Sequence, residues 1–65
     1  MTVADRIREK RIELDLSQTD LAKRAGYSDR TTISKFDHMG NEITMKQIRR
    51  VAKALGVSTA YLMTT

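Results

Sequence analysis

The residues best suited to chemistry lie close together, in Arg30-Thr31-Thr32-Ile33-Ser34-Lys35. Read as a helix that continues through Phe36 and Asp37, this stretch buries Ile33 and Phe36, which stand three apart. Arg30, Thr31, Ser34, Lys35 and His38 are left on the other faces. What they offer is hydrogen bonding. An arginine fork can take O6 and N7 of one guanine together, and a threonine presents both a hydroxyl and a methyl group. Two β-branched threonines open the helix, and they are weak helix formers. The helix therefore depends on tertiary packing, and its outward residues answer to something besides stability.

Catalysis is a poor match. There is no cysteine and one histidine, His38, so no Cys/His or Ser/His/Asp arrangement is available and a metal site is not expected. No glycine-rich loop could cradle a phosphate. The acids (Asp5, Glu9, Glu13, Asp15, Asp20, Asp29, Asp37, Glu42) are scattered, as helix caps and salt-bridge partners are. The expectation is no enzyme, no cofactor, no metal and no small-molecule ligand. A net charge of +4 and a pI of about 9.9 point instead to a polyanionic partner. No apolar run is long enough to span a membrane, and Met1-Thr2-Val3-Ala4-Asp5 does not open a signal peptide. A cytoplasmic protein is expected.

The elements that must position Arg30 to Lys35 are short. Sixty-five residues make one domain, 1–65. With no proline and glycines only at 26, 40 and 56, the chain favours a few helices broken at those points. Thr2 and Asp5 form a capping box for a first helix from Val3 to Leu14. Ser17 and Asp20 form a second box, opening Gln18 to Ala25, and Gly26 ends that helix in a left-handed conformation. Asp29 caps the third helix, of which Arg30 is the first residue, and His38 and Met39 lie past its end. Ile43 dips inward from the following loop. Thr44 and Gln47 form another box, a fourth helix runs to Leu55, and Ser58 caps a last short one. The expected core is Ile7, Leu14, Leu16, Leu21, Ala22, Ala25, Ile33, Phe36, Ile48, Val51, Ala52, Leu55, Val57 and Leu62. Two short helices about a glycine corner, Gly26-Tyr27-Ser28, have the pattern of a helix-turn-helix, whose second helix enters the DNA major groove.

The order of the pieces resembles the Cro/repressor-type DNA-binding domain, the phage repressor-like family. The matching residues are Leu16-Ser17-Gln18-Thr19-Asp20-Leu21-Ala22, Gly26, and Thr32-Ile33-Ser34-Lys35-Phe36-Asp37. Ile48, Ala52-Lys53-Ala54-Leu55-Gly56-Val57-Ser58 and Tyr61-Leu62 match the family's closing segment. The resemblance implies an all-α fold, a compact bundle of five short helices with helices 2 and 3 forming the helix-turn-helix. The distance from Gly26 to Ile33 is one residue longer than members usually have, and the extra residue is expected in the turn at Tyr27-Ser28.

The resemblance also implies roles. Arg30, Thr31, Ser34 and Lys35 are the expected base contacts. Gln18 and Thr32 match positions that meet the DNA backbone, and Thr44 and Lys46 would flank a phosphate at the start of helix 4. Arg11 and Asp37 match a structural salt bridge between helices 1 and 3. His38, whose charge changes near neutral pH, is expected to be an exposed loop residue without a role. The implied function is a sequence-specific transcriptional regulator, a repressor, reading double-stranded DNA with about residues 29–37. It would bind a palindromic operator as a homodimer, with DNA itself able to drive dimerisation and with Tyr61, Leu62 and Met63 as a candidate dimer patch. The alternative is an antitoxin or another protein-interaction module of the same fold.

Overall fold

The computed structural model describes residues 1–63; the last two residues of the expected domain lie outside the described ones. Its helices are α1 (Val3–Glu13), α2 (Gln18–Ala25), α3 (Thr31–Met39), α4 (Met45–Leu55) and α5 (Thr59–Met63), with no strand among the described residues. The fold is the all-α bundle that the sequence led us to expect.

Local sequence accounts for most helix starts. Thr2, Ser17 and Thr44 each accept the amide of the third helical residue, and the side chains of Asp5, Asp20 and Gln47 return to the cap amides. Ser58 Oγ accepts from Tyr61 N at 3.1 Å. The start of α1 is also tied to the α3–α4 loop: Ala4 N donates to Gly40 O and Val3 N to Asn41 Oδ1. This satisfies amides that a helix cannot pair internally.

Three helix ends share one motif. At α2, Tyr27 N reaches Ala22 O and Gly26 N reaches Lys23 O; at α4, Val57 N reaches Ala52 O and Gly56 N reaches Lys53 O. At α1, Leu16 N reaches Arg11 O and Asp15 N reaches Ile12 O, with Asp15 itself left-handed at φ 58°. All three are Schellman closures, that of α1 built without glycine. A non-glycine residue there is strained. Asp15→Gly is expected to raise stability by about 0.5–1 kcal/mol, measured as a rise in thermal midpoint.

The motif at Asp15 corrects the expected core. Helix α1 stops at Glu13 and the chain turns at once, which leaves Leu14 40% exposed and brings Leu16 half under cover. Ala4, unremarked in the sequence, is buried in its place along α1. The remaining core is Ile7, Leu21, Ala22, Ala25, Ile33, Phe36, Ile43, Ile48, Val51, Ala52, Leu55 and Leu62, with Val57 packed at its edge. Leu62 is fully buried and is not available to a dimer patch; Tyr61 and Met63 remain exposed.

Three aspartates couple this fold to pH. Backbone amides of Thr2, Ser17 and Thr31 hold the carboxyls of Asp5, Asp20 and Asp29 below the usual carboxylate value. A lowered folded value means that their stabilisation is complete above the unfolded value. It is lost as pH falls through the folded ones. The thermal midpoint should therefore decline in acid, as pH falls below the ordinary carboxylate value and through the lowered ones. Changing all three to Asn should flatten that decline.

Candidate nucleic-acid interface

Helix α3 owes its place to Ile33 and Phe36, each 1% exposed. Phe36 also meets Tyr27 edge to face, with centroids 6.0 Å apart and planes at 78°. With that stripe buried, Thr31, Lys35 and His38 are exposed and Ser34 is half-buried. These four recur at helical spacing and form one continuous outer face. Thr32 lies half-buried on its flank.

The start of α3 differs from expectation by one residue. Arg30 precedes the helix, with φ −70° and ψ −13°, and is exposed. Asp29 Oδ1 still accepts from Thr31 N at 2.8 Å, so the expected cap performs its hydrogen bond. The competing geometry is a tight turn over Ser28 to Arg30 that delays the regular helix. The corner between α2 and α3 thus spans Gly26 to Arg30, and Ile33 and Phe36 are turned inward. At the far end α3 continues through His38 to Met39, so His38 is an exposed residue of the last turn and not of a loop.

The expected backbone contacts start the neighbouring helices. Gln18 is the first residue of α2, and its Nε2 donates to Asp37 Oδ2 at 3.1 Å. One amide N–H is thereby committed and one is free. Thr44 caps α4, its Oγ1 accepting from Gln47 N at 3.3 Å, and its own hydroxyl hydrogen remains free to donate. Lys46 is exposed in the first turn of α4.

Arg11 and Asp37 form no ion pair. Arg11 donates through a terminal nitrogen to Leu16 O at 2.8 Å, closing the α1–α2 link, while Asp37 is taken by Gln18. The Arg11 Nε is buried without a hydrogen-bond partner. The two ends of α3 and α2 are joined by a neutral amide instead of a guanidinium. Among the described residues the one ion pair is Lys10–Glu13, on the surface of α1.

Arg50, on α4, is a residue that nothing in the sequence singles out. Its Nε donates to Ala25 O and a terminal nitrogen to Gly26 O, the latter at 3.0 Å. Its guanidinium carbon lies 4.6 Å from the centroid of the Tyr27 ring. Nothing local marks this role, since the partners are 24 and 25 residues away.

Charge is unevenly distributed. Residues 23–65 carry eight basic and three acidic side chains, against four and five in residues 1–22. The excess of cations thus falls on the part of the chain from the end of α2 through α4. No cluster of potential metal ligands exists among the described residues.

The helix-turn-helix family model matches residues 7–62. The chain belongs to the helix-turn-helix family. Among solved structures it is similar to a hypothetical transcription factor, NHTF, from Neisseria. Identity is 33% with a TM-score of 0.83, covering 94% of this chain and 69% of that one. It is also similar to the P22 c2 repressor, solved in complex with synthetic operator 9T. Here identity is 28% with a TM-score of 0.82, covering 98% of this chain and 96% of that one. No curated protein matches the chain. The helix-turn-helix itself is α2, the corner at Gly26 to Arg30, and α3, and no helix among the described residues is long and apolar enough to cross a membrane.

Proposed function

We propose that this helix-turn-helix protein is a sequence-specific transcriptional repressor. It reads the major groove with α3 and binds a palindromic operator as a homodimer in the cytoplasm. The observation that carries this reading is the outer face of α3. It is polar and carries hydrogen-bonding side chains that are unpaired among the described residues, while the opposite face supplies Ile33 and Phe36 to the core. Arg30, Thr31, Ser34 and Lys35 are the base-contacting set. Gln18, Thr32, Thr44 and Lys46 take the backbone, the first through the N–H that Asp37 leaves free. The similarity to the P22 c2 repressor, whose structure includes an operator, supports the same reading.

Affinity on this reading comes from counterion release by lysine and arginine, and specificity from a few base edges. Two subunits would present their helices about 34–36 Å apart on one DNA face. The test is selection of bound duplexes from a random pool at one stated salt concentration. An enriched palindromic motif is expected. Salt-sensitive binding with no enriched motif would remove the sequence-specific reading and favour a partner-dependent module.

A further inference from the structure

The corner between α2 and α3 runs over Gly26 to Arg30, five residues that belong to neither helix, so something must remove its freedom if α3 is to meet bases in one register. The side chain that does so comes from α4. Arg50 donates to the carbonyls of Ala25 and Gly26, the last two acceptors exposed by the end of α2. Cations are favoured at such an end, and the planar guanidinium can serve two carbonyls at once. The same group lies over the Tyr27 ring at 4.6 Å, and Tyr27 in turn meets Phe36 edge to face. A continuous chain of contact thus runs from α4 through the corner into the middle of α3, next to Lys35. Gly26 is left-handed at φ 81°, and a Cβ there would stand 3.0 Å from the Arg50 terminal nitrogen.

We infer that Arg50 is a positioning residue for base reading. It fixes the corner, and so the rotation of α3, without touching DNA. This rests on the reading of α3 as the DNA-reading helix. The three contacts that define the role (two carbonyls and one ring face) all lie within the protein. Lysine would keep the charge but cannot reproduce the two-carbonyl fork or the stacked plane. The Tyr27 hydroxyl is buried without a partner, so the ring and not the hydroxyl carries the contact.

The experiment compares wild type, Arg50→Lys, Arg50→Ala and Tyr27→Phe. For each, affinity for the selected motif and for a scrambled duplex is measured over a range of salt. All measurements are made below the unfolding temperature followed by circular dichroism. The expected result is a roughly tenfold fall in the specific-to-nonspecific ratio for both Arg50 variants, the discrimination of about one base contact. Tyr27→Phe should keep the wild-type ratio. Arg50→Lys should keep the wild-type salt slope, since no phosphate contact is lost. Arg50→Lys with reduced thermal stability but an unchanged ratio would make the residue merely structural and overturn the inference. A salt slope lowered by about one in Arg50→Ala, with uniform weakening on both duplexes, would make it a phosphate contact and also overturn it. Should Arg50→Ala fail to fold, Arg50→Lys decides alone. A wild-type ratio of one would instead overturn the DNA-reading function beneath it.

Discussion

Phe36→Ala is expected to destabilise the domain by about 3–5 kcal/mol, the usual cost of emptying a buried aromatic site. Phe36 is 1% exposed, among the largest of the fully buried side chains, and its ring closes against Tyr27. The consequence is severe because a chain of this length has roughly 3–10 kcal/mol of stability in total. Helix α3 is also poorly placed to survive the loss. Its first turn holds Thr31 and Thr32, and Arg30 supplies no side-chain cap. Ile33 would then be the one fully buried side chain left to hold the helix, with Met39 packed at the edge of the core. Urea unfolding at constant slope is the measurement. Phe36→Leu, which keeps an apolar side chain in the site, should cost about 1–2 kcal/mol. An Ala variant within 1 kcal/mol of wild type would mean that α3 is not seated on Phe36.

The contrast between what the sequence disclosed and what it hid follows the range of the interactions. Thr2, Ser17 and Thr44 were readable as caps because each partner lies three residues away. Gly26 and Gly56 were readable because a left-handed residue at a helix end selects glycine. Asp15 takes the same conformation without being glycine, so the turn it makes was invisible, and with it the exposure of Leu14. Ala4 is buried by its position in the bundle, not by its hydrophobicity. The face of α3 was legible from the spacing of Ile33 and Phe36, whereas its first residue was not. Asp29, Arg30 and Thr31 can serve a tight turn or a helix start equally well.

Long-range polar contacts were the hardest to foresee. Arg11, Gln18 and Asp37 were each singled out, but with different partners: the structure gives Asp37 to Gln18 and Arg11 to the Leu16 carbonyl. The choice depends on how α1 and α2 converge on the end of α3, which no local pattern encodes. Arg50 is the extreme case, a cation whose partners are backbone carbonyls and one ring face 23 to 25 residues away. Charge and spacing on α4 give it the same appearance as Arg49 or Lys53.

Arg30→Ala is expected to remove a guanine preference at one symmetric pair of positions in the selected motif. Affinity for the wild-type motif should fall by about 1–3 kcal/mol per half-site. Arg30 stands at the mouth of α3 with helical dihedral angles, exposed, its carbonyl accepting from Ser34 N and its side chain without a hydrogen-bond partner among the described residues. Its guanidinium therefore enters a complex without first breaking an internal contact. A base-reading role and a phosphate role leave different signatures. Loss of a base contact relaxes one position and spares binding to scrambled DNA. Loss of a phosphate contact weakens all sequences alike and lowers the salt slope by about one. Because Arg30 lies just outside the regular helix, it has more latitude than Thr31 or Lys35, and its own readout is the most sensitive to register. A motif unchanged by Arg30→Ala would shift base reading inward to Thr31, Ser34 and Lys35. It would leave Arg30 as a backbone clamp at the edge of the groove.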